Sequence, residues 1–198
     1  MAIENSTDSP PSHDCTSIPI HKAARIVRDG GVVAYPTEGV FGLGCRPDDD
    51  EAVARILRIK GRDPAMGLIL IAADDHQLQR WVDLPDGQQV PASSLERPVT
   101  WIVPARSAVP ASIRGRHTTV AVRITAHPVA AALCRAAKSA LVSTSANFSG
   151  QRPARNIHVL RRTFGALVDC IVSGACGPAA GPSEIRDLLS GAVLRPAG

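Results

Sequence analysis

Asp and Glu are missing from the whole stretch between Arg97 and Val168, 72 residues that hold eleven Lys or Arg. All eighteen acids share the rest of the chain with the other half of the basic residues, so the net charge of +4 conceals how far charge is segregated. Such segregation is the footprint of an anionic ligand, a nucleotide or a nucleic-acid backbone, although a basic solvated face gives the same count. Aromatics are scarce too, at 3%. That tells against a platform on which exposed bases stack.

Other absences narrow the field. The cysteines (Cys15, Cys45, Cys134, Cys170, Cys176) form no CxxC and no Cys/His cluster. An odd, scattered set reads as reduced thiols, not a disulfide frame or a metal site. No apolar run approaches the roughly 20 residues of a membrane span, and no basic region precedes an apolar stretch at the N-terminus. The expectation is a cytoplasmic protein with no membrane partner. GxxxxGK[ST], a strand-linked GxGxxG, GxSxG, HExxH and DxDxDG are all missing. The histidines at 13, 21, 76, 117, 127 and 158 fit no triad signature, so nucleophilic catalysis has little support. His127, before Pro128, reads as a helix cap or a surface residue.

What is present suits one α/β domain: 198 residues, 44% of them apolar, enough to bury a sizeable core. Residues 1–17 are polar and expected as a mobile tail, with 18–198 as the folded unit. Helical spacing runs from Ile20 to Asp29 and stops at Gly30-Gly31. Val32 to Tyr35 is a short buried strand. Asp49 or Asp50 caps a helix ending near Lys60-Gly61-Arg62. Leu68 to Ala72 is a strand and Asp74 or Asp75 opens a short helix. Strands at 99–103 and 119–125 precede a helix from His127 to about Ala137. A strand at 140–144, a helix at 156–164 and a strand at 170–173 follow, and residues 184–195 read as two strands joined at Ser190-Gly191. Helices and strands intermix without repeat or linker, which implies a mixed sheet.

Four segments could carry chemistry. Thr37 follows a buried strand, where α/β proteins place ligands, and offers a hydroxyl to a small polar substrate. Lys60 and Arg62 join a point charge to a bidentate fork, a pairing that suits a triphosphate; both also complement a helix C-terminus. Ser143 to Gly150 puts hydroxyls and an amide at a strand end without an acid to repel an anion. Thr119 and Arg123 lie four apart on one strand and face the same way. Arg123 inside Val-Ala-Val-Arg-Ile is costly to bury without an anion or an ion-pair partner. No acid lies within 26 residues of it on either side, although a distant one could pair with it.

Together, Tyr35-Pro-Thr-Glu, Phe41-Gly-Leu-Gly, Lys60-Gly-Arg62, Gly67-Leu-Ile-Leu-Ile, Pro98-Val-Thr, Ala121-Val-Arg-Ile, Ser145-Ala-Asn and Pro182-Ser-Glu-Ile follow the order of the YrdC/TsaC family. The resemblance spans about 18–198 and is to the short form of these threonylcarbamoyl-AMP synthases. It implies a twisted mixed α/β sheet with flanking helices around a large basic cavity. The implied reaction joins L-threonine, bicarbonate and ATP, with Mg²⁺ bound mainly through ATP, into threonylcarbamoyl-AMP and pyrophosphate. The product would be handed to a tRNA threonylcarbamoyl transferase complex for N6-threonylcarbamoyladenosine modification of tRNAs reading ANN codons, and contact with tRNA itself is compatible. By position, Thr37, Arg123, Ser145 and Ser183 resemble the residues that hold threonine. Lys60, Arg62, Thr119, Asn147, Arg155 and Arg195 resemble those around ATP, with Lys60, Arg62, Ser145 and Asn147 as the catalytic set. Leu95-Glu96-Arg97 replaces a Trp-Pro-Gly common in relatives, which leaves any role for Thr100 in doubt. The competing reading is an RNA-binding module, for tRNA or double-stranded RNA, without catalysis. Few aromatics and basic residues lying among buried strands weigh against it.

Overall fold

A computed structural model describes residues 17–198, and local signals in the chain account for most of its elements. Helix α1 (Ile20–Arg28) turns Ala23, Ala24 and Val27 inward and ends before Gly30, whose φ is 87°. Helix α2 (Asp50–Lys60) starts where Asp49 accepts a hydrogen bond from Ala52 N at 2.9 Å. It stops at Gly61 in the left-handed conformation, so Lys60 is its last residue and Arg62 stands just beyond. A short α3 (Ala111–Arg114), α4 (Pro128–Ala137) and α5 (Ile157–Phe164) follow, the last capped by Asn156 through Val159 N.

The strands are β1 (Ser17–Ile18), β2 (Val33–Pro36), β3 (Phe41–Gly44), β4 (Ile69–Ala72), β5 (Val99–Pro104), β6 (Thr119–Ile124), β7 (Leu141–Ser145), β8 (Cys170–Val172), β9 (Glu184–Asp187) and β10 (Val193–Arg195). They form one mixed sheet in the order β1-β8-β2-β3-β7-β4-β6-β5-β9-β10. The β4–β6 and β5–β9 pairs are parallel, whereas β7 runs antiparallel to both β3 and β4. The expected α/β class with a mixed sheet and flanking helices holds. The tail expected over 1–17 lies outside the described residues up to position 16, and Ser17 pairs with Ile171 in β1.

Successive strand residues face opposite sides, and two apolar layers result. On one face Val32, Ala34, Leu70 and Val142 pack with Val53 and Ile56 of α2 and Leu160 and Phe164 of α5. On the other, Val33, Tyr35, Ile71 and Leu141 pack with Val27 of α1 and Leu133 and Cys134 of α4. Each fully buried Leu or Ile contributes about 1.5–3 kcal/mol. Cys45, Cys134, Cys170 and Cys176 are not joined in disulfides, and no helix among the described residues is long and apolar enough to cross a membrane.

Strand β3 was not anticipated as a strand. Its glycines hide the period: a Cβ on Gly44 would lie 2.5 Å from Val142 O and 2.7 Å from the Tyr35 ring. Only glycine lets β3 approach its neighbours this closely. His127 meets one half of its expectation and corrects the other. It is the N-cap residue of α4, without a side-chain cap bond, but it is buried and not at the surface, with Nε2 3.0 Å from Ala175 O.

Candidate active site

Beyond α1 and α4, the sheet face they cover opens into a cavity of about 370 Å³. Strands β6 and β7 supply its floor, with Thr119, Ala121 and Arg123 on one face of β6 and Ser143 and Ser145 on the same face of β7. The β2–β3 turn brings Thr37 and Glu38, the segment after α2 brings Arg62, and the C-terminal strands bring Ile185, Leu194 and Arg195.

The β2–β3 turn is tightly bonded. Thr37 Oγ1 donates to Val40 O at 2.7 Å. Glu38 is 1% exposed, with Oε1 accepting from Thr125 Oγ1 at 2.6 Å and Ala126 N at 3.1 Å. Its Oε2 lies 3.4 Å from Arg123 Nη2. The distant acid that pairs with Arg123 is therefore Glu38, brought over by the sheet. Burial pushes the Glu38 pKa up, but Arg123, the Thr125 hydroxyl and backbone N–H groups outweigh it and hold the carboxyl below its ordinary value. The segment between β8 and β9 packs on the same turn, Gly177 N donating to Thr37 O at 2.9 Å and Ala179 N to Glu38 O at 3.0 Å.

Lys60 sits behind the β7 end. Its Nζ donates to Ser145 O at 2.5 Å, Asn147 O at 2.8 Å and Asn147 Oδ1 at 3.2 Å. Burial, then the like charge of Arg62, lower its pKa to about 8. Asn147 is fully engaged: Oδ1 also accepts from Ser145 Oγ at 2.5 Å, and Nδ2 donates to Phe148 O and Gln151 O. Arg62 is half-buried and donates twice to Gly67 O, at 3.0 and 3.2 Å.

Ser183 lines the cavity with its Oγ 2.7 Å from Thr100 Oγ1, and both residues are buried. Arg195 reaches the same point from β10, Nη2 donating to Ser183 O at 2.6 Å. Its pKa lies below the ordinary arginine value, through burial first and then through Arg123 and Arg62. Three guanidinium groups thus line a single cavity, and Arg195 feels the charge of the other two. Such an arrangement is relieved by anions.

Of the residues expected around threonine, Thr37, Arg123, Ser145 and Ser183 all line this cavity. Of those expected around ATP, Arg62, Thr119 and Arg195 do so. Lys60 and Asn147 instead hold the β7 end, and Arg155 donates to the carbonyls of Ala179 and Ala180. Sequence reasoning passed over Glu38, Arg114 and His117, which also line the cavity. Glu38 stood inside a quoted motif without a role, and its partners Arg123 and Thr125 are too distant in the chain for spacing to find. No group of three metal-ligating side chains occurs among the described residues.

Known proteins resemble this chain over nearly its whole length. The Sua5/YciO/YrdC family model, described as "Telomere recombination", matches residues 25–197. The threonylcarbamoyl-AMP synthase of Nitrosococcus oceani is 53% identical over 91% of this chain and 99% of its own length. Pyrococcus abyssi Sua5 in complex with L-threonine superposes with a TM-score of 0.80 and 32% identity, over 90% of this chain. This chain spans 54% of that archaeal protein. Escherichia coli YciO gives a TM-score of 0.75 at 25% identity, covering 90% and 88% of the two chains.

Proposed function

The chain belongs to the Sua5/YciO/YrdC family, and from that premise we propose that it is an L-threonylcarbamoyladenylate synthase. It joins L-threonine, bicarbonate and ATP into threonylcarbamoyl-AMP, releasing pyrophosphate and water. The observation that carries the reading is the convergence of Arg62, Arg123 and Arg195 on one cavity that also presents Thr119, Ser143, Ser145 and Ser183 hydroxyls. A triphosphate and an amino-acid carboxylate are the anions such a site separates.

In this reading Arg123, backed by Glu38, receives the threonine carboxylate, with Thr37, Ser145 and Ser183 around the rest of the amino acid. Arg62 and Arg195, with Thr119, face the nucleotide and offset charge that develops as pyrophosphate leaves. Lys60, Asn147 and Arg155 serve ATP by shaping the walls. No covalent enzyme intermediate is required. The chain's contribution is to orient carbamate and α-phosphate and to exclude water from species that hydrolyse. A Mg²⁺ ion fits this donor set as a passenger on the triphosphate, because the wall offers hydroxyls and the one carboxylate in it, Glu38, is already bonded. Bound there, the ion would neutralise phosphate charge.

The product suits transfer to tRNAs reading ANN codons by a separate transferase complex, with residues 18–198 as one catalytic domain in the cytoplasm. Pyrophosphate release, measured with threonine and bicarbonate omitted in turn, is the test. Dependence on both is expected, together with loss in Arg62→Ala that leaves the melting temperature near wild type. Release independent of either substrate rejects the synthase. RNA binding that persists without turnover would favour the RNA-binding module.

A further inference from the structure

Within the cavity wall, the Glu38–Arg123 pair has an unusual geometry. Arg–carboxylate pairs commonly close into a fork with N–O distances near 2.7–2.9 Å. Here the contact is 3.4 Å, while the carboxylate's short bonds, 2.6 and 3.1 Å, go to Thr125 Oγ1 and Ala126 N at its other oxygen. Glu38 Oε2 and Arg123 Nε are buried with no hydrogen-bond partner. Burying a carboxylate costs several kcal/mol, and one loose ion pair does not offset that. The acid is anchored first by the backbone and hydroxyl that follow β6, and its charge is then presented to Arg123.

Arg123 and Thr125 are two apart along an extended chain and so face the same side. Glu38 bridges them from the β2–β3 turn. Glu38 lines the cavity, but its Oε2 is sealed from solvent and faces Arg123 Nη2, so that oxygen acts on the guanidinium and not on a ligand.

We propose that Glu38 is a positioning residue for Arg123, holding the guanidinium aimed into the cavity while leaving its donors free for the amino acid's carboxylate. This rests on the reading of Arg123 as the carboxylate clamp. Glu38 acts only through Arg123 and therefore sets the affinity for threonine without touching it. Neutralising it frees the guanidinium to turn toward other acceptors, and substrate binding must then re-aim it.

Steady-state pyrophosphate release tests this in wild type, Glu38→Gln, Arg123→Lys and the double variant. Glu38→Gln should raise the threonine KM about tenfold as the charge facing the guanidinium is lost, while the ATP KM stays within about twofold. In the Arg123→Lys background, Glu38→Gln should add little, because the group it positions is gone. An equal effect of Glu38→Gln in both backgrounds, or an unchanged threonine KM in Glu38→Gln, overturns the proposal. An unchanged threonine KM in Arg123→Lys instead rejects Arg123 as the clamp, and the proposal with it. If Glu38→Gln does not fold, Thr125→Val keeps the charge, removes the shorter of its two anchoring bonds and takes its place in the cycle; there a threonine KM that does not rise overturns the proposal.

Discussion

Lys60 Nζ lies 2.8 Å from the carbonyl oxygen of Asn147 and 3.2 Å from its Oδ1, so the Lys-Gly-Arg and Ser-Ala-Asn segments form one hydrogen-bonded unit. The C-terminus of α2 is tied to the end of β7 by a lysine that spends its donors on oxygen atoms of the chain. Lys60→Met should leave the carbonyls of Ser145 and Asn147 unpaired and lower stability by about 1–3 kcal/mol. Chemical denaturation measures the loss, and an unchanged midpoint would count against the tie.

The same lysine makes a pH prediction with a definite sign. Its pKa is about 8 in the folded protein against an ordinary 10.5, through burial and then Arg62. Below pH 8 both folded and unfolded states carry the ammonium, and the folded state bears the full cost of burying it. Between pH 8 and 10.5 the unfolded lysine keeps a proton that the folded one has released. Wild-type stability relative to Lys60→Met should therefore rise across that window. Denaturant titrations of both proteins from pH 7 upward check it, and a gap that narrows with pH would contradict it.

How far the chain could be read in advance follows from what holds each part. Capping and stop signals are local, so α1, α2 and α5 fell within a residue or two of expectation, with Asp49, Asn156 and Gly61 doing what their types do. Strand β3 escaped because Gly42 and Gly44 erase the side-chain alternation that marks a strand. In the site, Arg123 and Thr119 were legible from spacing on one strand. Glu38 was not, because its partners Thr125 and Ala126 stand 87 and 88 positions away. Lys60 was legible as a special cation, yet its orientation depends on three oxygens contributed by another strand's end.

Thr100 was left without a role by the sequence, and the structure gives it one. It is 0% exposed, and its Oγ1 lies 2.7 Å from Oγ of the cavity residue Ser183. Thr100→Val keeps the shape and deletes the hydroxyl, so Ser183 loses a partner at a cost of about 1 kcal/mol. The threonine KM should rise about fivefold as the Ser183 hydroxyl reorients, with the ATP KM little changed. Substrate titrations beside a melting curve separate the two effects. Equal rises in both KM values would place Thr100 outside the threonine side of the cavity.

Gly39 marks where two cavity loops touch. A Cβ there would lie 2.3 Å from Gly181 O and 3.1 Å from Ala179 O, and backbone atoms cannot yield as a flexible side chain can. Gly39→Ala must therefore lift the segment between β8 and β9 away from the β2–β3 turn. The bonds from Gly177 N to Thr37 O and from Ala179 N to Glu38 O are the first at risk. A loss of about 2 kcal/mol or more is expected, at the upper range of overpacking. Gly61→Ala is the comparison: Gly61 has nothing within 4 Å of its would-be Cβ and suffers only the strain of φ +57°, about 1 kcal/mol. Because Ser183 ends the displaced segment, Gly39→Ala should weaken threonine binding as well as stability. Gly61→Ala should lower the melting temperature with less effect on threonine. If Gly39→Ala proves no worse than Gly61→Ala on both measures, the loops are not locked together at this contact.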